Sequence, residues 1–245
     1  MAETKLPHYR GILTGSMLHD AMEAGDGFAT FDCESEEAFL AAAQEYGVVF
    51  PHRDADERGI TYLRERPGLG PERGVGFTKG PLLPHTDRPA AKVPPRVLLL
   101  WCRSSSVDGG EATVLRGQDV AASLGERNPD ALKAYCEDDA AIFRTGGEEM
   151  VSPIFRMVDG AVAEVRLRFD PYVYFAPNAA RALPALERAF EETEIAFSLA
   201  PGKGYAIRND LWFHGRRAYS GNREMLRIMI GSSHASSRNA GPGTR

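Results

Sequence analysis

Leu82-Leu83-Pro84-His85-Thr86-Asp87 stands a few residues ahead of the apolar run Arg96-Val97-Leu98-Leu99-Leu100-Trp101-Cys102, which reads as a core strand. The first stretch sets an imidazole and a carboxylate two residues apart. In an extended segment residues i and i+2 point to the same side, so both side chains can grip one ion. His214, within Asn209-Asp210-Leu211-Trp212-Phe213-His214-Gly215-Arg216, is the candidate third ligand.

Working outward, residues 34–46 read as an amphipathic helix with Phe39, Leu40 and Ala43 at helical spacing and Gly47 as its stop. Residues 48–50 read as a short buried strand, and residues 54–66 as a charged helical surface segment. Residues 67–84 hold five Gly and four Pro, a loop composition directly before the candidate site. After it come the strand at 96–102, a turn at Val107-Asp108-Gly109-Gly110 and a strand at 111–115, together a hairpin-like unit. Residues 118–137 are helical with a break at Asn128-Pro129. Strands follow at 140–143 and 151–158, and Asp159-Gly160 is a two-residue turn before another at 161–169. A helix spans 178–193. The last third returns to strands at 194–199, 205–209, through His214, and at 225–231, whereas residues 1–33, punctuated by Gly11, Gly15, Gly25 and Gly27, read as irregular.

Many short strands with a few helices outside them predict a mainly β protein with flanking helices, a barrel or jelly roll. A doubly wound parallel sheet is disfavoured, because βαβα alternation and a Gly-rich phosphate loop after a strand are both missing. The expected organisation is one domain over residues 1–231 and a disordered tail at 232–245, small, polar and rich in Gly and Ser.

The net charge of −5 over 245 residues, without a basic block, argues against a nucleic-acid partner. Three widely spaced cysteines, Cys33, Cys102 and Cys136, suggest neither a disulfide framework nor a zinc ribbon, so a reducing cytoplasm is the expected location. The first ten residues carry no apolar core of a signal peptide. No run approaches the roughly 18 apolar residues of a membrane span. Oligomeric state is not legible.

His52-Arg53-Asp54 repeats the His-x-Asp spacing, so context must choose between the two. His52 leads into a charged segment where Asp54 suits a helix N-cap, whereas His85 and Asp87 lie between a Gly/Pro-rich loop and a core strand. Two histidines and one carboxylate form the facial triad of non-haem iron(II) oxygenases. His214, flanked by Trp212, Phe213 and Gly215, could alternatively be a core histidine. In the stretch 223–230, strand alternation puts Arg223, Met225 and Arg227 on one face and Leu226, Ile228 and Ile230 on the other. A buried Arg227 requires an anion: a carboxylate-bearing cosubstrate, or an internal partner such as Glu224 or Asp210.

His85-Thr86-Asp87, Gly109-Gly110-Glu111-Ala112-Thr113, the His-Gly-Arg ending at Arg216, and Arg223 with Arg227 together resemble the taurine dioxygenase and clavaminate synthase group of iron(II)/2-oxoglutarate-dependent dioxygenases. The resemblance covers about 150 residues, from Leu82 to Gly231. It implies a double-stranded β-helix, cupin-like, with Fe(II) on His85, Asp87 and His214. Three further coordination positions would serve the 2-oxo acid end of 2-oxoglutarate and O2. It also implies that Arg223 binds the distal carboxylate of 2-oxoglutarate, with Arg227 on the other carboxylate or the substrate; the two roles can exchange. The family's carboxylate-assisting threonine follows the Gly-Gly-acid turn directly. Here Ala112 stands there, and Thr113, the residue carried over, comes one later, an offset that reverses a strand side chain.

The implied reaction is oxidative decarboxylation of 2-oxoglutarate to succinate and carbon dioxide, coupled to oxidation of an aliphatic C–H bond. Halogenases of related fold lack the carboxylate that Asp87 supplies, so hydroxylation, desaturation or ring formation is the expected outcome. The substrate is a small, polar or amino-acid-like metabolite, and Lys79, Arg88, Arg166, Arg168, Arg216 and Arg217 permit an acidic or zwitterionic one. Two other classes remain open on sequence: a jelly-roll binding protein without redox chemistry, and a zinc-dependent hydrolase on the same three ligands.

Overall fold

Alternation along three strands explains the layering. On β5 (Val97–Ser104), Val97, Leu99 and Trp101 pack into one apolar cluster and Leu98, Leu100 and Cys102 into another. β17 (Glu224–Ile230) repeats the division, with Leu226, Ile228 and Ile230 on one side and Met225 and Met229 on the other. β14 (Lys203–Arg208) does the same with Ala206 against Tyr205 and Ile207. A sheet apolar on both faces must be covered on both, and each buried Leu, Ile or Phe contributes about 1.5–3 kcal/mol.

The structure, a computed structural model, describes residues 8–9, 13–68 and 74–231. Its larger sheet has the order β1 (His8–Tyr9), β2 (Phe28–Asp32), β14, β5, β17, β3 (Thr61–Leu63). All of its pairings are antiparallel except β1 with β2. α1 (Gly15–Ala24) and α2 (Glu36–Tyr46) supply Leu18, Met22, Phe39, Ala42 and Ala43 to the outer cluster. Each helix starts on a side-chain cap, Thr14 accepting from the Met17 N–H and Ser35 from the Ala38 N–H.

The inner face meets a four-stranded antiparallel sheet of order β13 (Ile195–Phe197), β7 (Ala112–Arg116), β15 (Trp212–Arg216), β4 (Leu82–His85). Ala112, Val114 and Trp212 of this sheet share a cluster with Leu98, Tyr205 and Met225 of the other. Leu115 and Phe213 face outward, into a third cluster built by α3 (Gly117–Arg127), α4 (Pro129–Cys136), α5 (Pro177–Arg181) and α6 (Leu183–Thr193). The sheet β12 (Val173–Phe175), β8 (Ala141–Thr145), β9 (Glu148–Ser152) and the hairpin β10 (Phe155–Val158) to β11 (Ala161–Val165) complete that side. β6 (Asp108–Gly109) pairs with β16 (Tyr219–Ser220) at the edge.

The mainly β expectation with flanking helices holds, as do the Asn128-Pro129 break and the Asp159-Gly160 turn. Several local expectations do not. β5 and β7 form no hairpin: each is an inner strand of a different sheet, so the turn between them is a crossing. Residues 48–50 contribute only a bridge from Val49 to Ile230, with Val48 exposed. Residues 54–66 hold turns and β3 instead of a helix, because Asp56 Oδ1 accepts the N–H groups of Arg58 and Ile60. The expected strand at 151–158 is two strands parted at Pro153, and the helix at 178–193 breaks at Ala182 ahead of Pro184. α1 and β2 fill part of the stretch read as irregular. The tail and part of the 67–84 loop lie outside the described residues. No described helix is long and apolar enough to cross a membrane.

Candidate metal centre

The ladder between β15 and β4 sets His214 directly opposite His85. Their ring centroids are 4.2 Å apart. Asp87 follows β4 by two residues and is buried, as is His214. One donor atom from each of His85, Asp87 and His214 lies within 4.8 Å of the others, and among the described residues this is the cluster of such groups that can hold a metal. Two bonds of about 2.1 Å from one ion span at most roughly 4.2 Å, so small rotamer adjustments close the set.

The electrostatics suit ligation. His85 Nδ1 lies 2.9 Å from the Leu83 carbonyl, which orients the ring and frees Nε2. Burial depresses the pKa of both imidazoles, His214 to about 3, where His85 adds to the effect. Both rings are therefore neutral near pH 7 and keep a lone pair. Burial alone would raise the Asp87 carboxyl, but Arg227, His214 and His85 outweigh it and lower it to about 2. His214 Nδ1 is buried and has no hydrogen-bond partner. Two neutral imidazoles and a carboxylate with one donor atom each within 4.8 Å fit a divalent cation.

Asn209 anchors this arrangement and sequence reasoning gave it no role. Its Oδ1 accepts the Asp87 N–H at 2.7 Å, and its Nδ2 donates to the carbonyls of Asp87 at 3.0 Å and Pro95 at 2.9 Å. The available signal was an amide side chain five residues ahead of His214 beside an apolar run. Gly215 serves the same register: a Cβ there would meet the Leu82 carbonyl oxygen at 2.5 Å and Thr113 Oγ1 at 2.8 Å. β4 and β15 can approach only because that Cβ is missing.

The arginines divide into two environments. Arg227 donates from Nη1 to both Asp87 oxygens, at 3.0 and 2.8 Å. Its anion is thus Asp87, whereas Glu224 is held by Arg64 and Arg103, and Asp210 by Arg208. Arg223 and Arg216 have no carboxylate partner among the described residues and lie over the ring of Tyr219, at 5.6 and 4.6 Å. Arg216, only 7% exposed, donates to the carbonyls of Thr78 and Gly80, and its Nε is orphaned. Burial, then the charge of Arg223, lowers its pKa to about 10; burial also lowers that of Arg223. Two cations, Arg216 buried and Arg223 partly buried, that repel each other without a counter-ion among the described residues form a site for an anion.

Two further expectations change. Thr113 pairs with Gly215 and leans over it, while Ala112 and Val114 face the inner cluster. The structure therefore separates Thr113 from the face that carries His214, as the one-residue offset in a strand requires. His52 is not the lead into a helix. Its Nδ1 accepts the Asp54 N–H at 3.2 Å, and burial, with the charge of Arg227 next, lowers its pKa to about 4. His52 thus lies within the field of the metal centre without being one of the three clustered ligands.

The chain is 28% identical over 174 residues to the gamma-butyrobetaine dioxygenases of Homo sapiens and Pongo abelii. That match covers 64% of this chain and 45% of each relative, so the chain spans about half the length of these curated relatives. The structure of asparagine oxygenase in complex with Fe(II), 2S,3S-3-hydroxyasparagine and succinate superposes with a TM-score of 0.70 at 15% identity, covering 89% of this chain and 83% of that one. The non-haem iron oxygenase OrfP in complex with Fe and alpha-ketoglutaric acid gives 0.68 at 14% identity, covering 89% and 79%. PvcB from Pseudomonas aeruginosa gives 0.67 at 17% identity, covering 92% and 83%. These likenesses establish a common fold. Residues 18–229 match the model of the taurine catabolism dioxygenase TauD, TfdA family, and the chain belongs to that family.

Proposed function

We propose that this protein is an iron(II)- and 2-oxoglutarate-dependent dioxygenase that oxidises an aliphatic C–H bond of a small, polar or amino-acid-like metabolite, on a double-stranded β-helix. The observation that carries this reading is the convergence of His85, Asp87 and His214, with Arg227 against Asp87. His85, Asp87 and His214 hold the iron. When bound, the iron supplies oxygen activation coupled to decarboxylation of 2-oxoglutarate, and the chain's own residues do the positioning.

Arg223 receives the distal carboxylate of 2-oxoglutarate, with Arg216 adding positive charge beside it and Tyr219 filling the face of both guanidiniums. Arg227, on the inner face of β17 between Met225 and Met229, reaches the metal end of the site and serves the other carboxylate or the substrate. Thr113 drops out of the cosubstrate set, and Ala112 leaves a methyl group where the family's threonine would stand. The inner cluster of Leu98, Val114, Ile207 and Met229 keeps water from one side of the ligands. The 2S,3S-3-hydroxyasparagine held by asparagine oxygenase, the (3S)-hydroxy-L-Arg held by OrfP and the gamma-butyrobetaine for which the dioxygenases are named are amino-acid-like, which supports the substrate class.

The test is anaerobic reconstitution with iron(II) and 2-oxoglutarate, read by the visible charge-transfer absorption of the chelate. The band is expected in the wild type and lost in Asp87→Ala, together with succinate release. Folded wild-type protein that gives no band, or an Asp87→Ala variant that keeps both signals, refutes the reading.

A further inference from the structure

Arg227 is an unusual neighbour for a metal ligand. Its Nη1 lies 3.0 and 2.8 Å from the two oxygens of Asp87, so one guanidinium engages both ends of the carboxylate that the metal needs. Both partners are largely enclosed, each side chain being 11% exposed, and water screens their charges little. The same guanidinium is incompletely satisfied: Arg227 Nε is buried with no hydrogen-bond partner. Among the described residues Arg227 has no second carboxylate partner, while Glu224 is held by Arg64 and Arg103 and Asp210 by Arg208. Its neighbours on the inner face of β17 are Met225 and Met229. The other charged or titratable groups in the field of Asp87 are His85, His214, His52, Arg168 and Tyr205, none of which is an anion near pH 7.

Resting on the metal site proposed above, we infer that Arg227 competes with the metal ion for Asp87, and that 2-oxoglutarate relieves the competition by giving the guanidinium a carboxylate of its own. A divalent cation on Asp87 lies close to a fixed positive charge in a dry site, and that repulsion weakens metal binding when the cosubstrate is absent. An added carboxylate satisfies the free Nε–H donor of Arg227 and neutralises it. Arg227 is a positioning residue in this scheme: it links the occupancy of two sites. By reciprocity the metal and the cosubstrate strengthen each other's binding by one shared factor, part of it from direct chelation and part from Arg227.

The opposite arrangement has the opposite sign. If Arg227 merely holds Asp87 in the orientation the metal requires, its removal weakens metal binding. The experiment titrates Co(II) anaerobically at pH 7.5 into wild type, Arg227→Met, Arg227→Lys and Asp87→Ala, without and with 2-oxoglutarate, following the visible bands of the bound ion. Thermal melts in chelator confirm that each variant is folded. The expected result is that Arg227→Met binds Co(II) about 10-fold more tightly than wild type without 2-oxoglutarate, and that its gain on adding 2-oxoglutarate shrinks by a similar factor. Arg227→Lys, whose single ammonium cannot span both oxygens, falls between the two. Weaker or unchanged Co(II) binding by both folded variants without 2-oxoglutarate overturns the inference and leaves the metal site standing. Equal Co(II) binding by wild type and Asp87→Ala overturns the metal site itself.

Discussion

Replacing Asn209 by alanine removes three hydrogen bonds in one step: Asn209 loses its hold on the Asp87 N–H, the Asp87 carbonyl and the Pro95 carbonyl. Asn209 is 2% exposed, so water does not reach these groups without rearrangement. A buried polar group left unpaired costs about 1–3 kcal/mol, and partial relaxation keeps the three from adding fully. The expected loss is about 3 kcal/mol, or roughly 6–12 °C in Tm for a chain of this size. Asp87 also loses the clamp on its backbone, and loss of such a support lowers metal affinity about 10- to 100-fold. Thermal unfolding by circular dichroism in chelator reads the first effect and an anaerobic Co(II) titration the second. Asn209→Asp separates hydrogen bonding from volume: it still accepts the Asp87 N–H but turns an oxygen toward two carbonyls, and must be no more stable than the alanine variant. Arg156→Ala, at an exposed ion pair with Glu164, is the control and stays within about 0.5 kcal/mol of wild type. A loss below about 1 kcal/mol in Asn209→Ala, with unchanged Co(II) affinity, refutes the reasoning.

Gly215→Ala forces a Cβ against the Leu82 carbonyl at 2.5 Å and so drives β4 from β15. Weaker Co(II) binding and a lower Tm are expected, and an unchanged Tm shows that the strands have slack. Arg223→Ala raises the 2-oxoglutarate requirement about 10- to 100-fold, the worth of a charge-assisted hydrogen bond or two, and leaves iron affinity nearly unchanged; an unaltered requirement moves the role to Arg227. Acid destabilises the protein in chelator. The folded pKa values of His214 and His52 are lowered to about 3 and about 4, below the 6.5 of an unfolded histidine, and that of His85 is also lowered. Below pH 6.5 the unfolded chain takes up protons that the folded chain refuses, so stability is complete above that value and falls as the pH drops toward 4, by up to about 1.4 kcal/mol per pH unit for each histidine. Urea midpoints at pH 7 and pH 5 measure it, and equal midpoints contradict the burial of these rings.

His85, Asp87 and His214 were legible because metal ligands obey short-range rules: two share a strand-like i, i+2 spacing, and the third sits in an apolar run where a histidine needs a reason. The helix break at Asn128-Pro129 was legible for the same local cause. What lay hidden was pairing at a distance. An inner strand such as β5 takes both neighbours, β14 and β17, from more than a hundred residues downstream. Nothing in the Asp108-Gly109-Gly110 turn tells that it leads to another sheet. Charges misled at residues 54–66, where the side chain of Asp56 supports turns that helix-like composition conceals. Arg227 was read as at least partly buried and in need of an anion, and it is, but its partner is 140 residues away and was not among those weighed. The status of Arg216 as a buried cation was equally invisible, because a His-Gly-Arg-Arg run looks like solvated surface until the strand register is known.

His85 and His214 belong to the four-stranded sheet, whereas Arg223 and Arg227 stand on or next to β17 of the six-stranded one. A molecule gripped at one end by an ion on the first and at the other by guanidiniums on the second is a strut between two layers. Its length then sets the spacing of the layers, and a shorter or longer dicarboxylate must either tilt or shear one sheet over the other. Cosubstrate binding should accordingly slow amide exchange on both sheets together, with β4 and β17 responding in concert although they share no ladder.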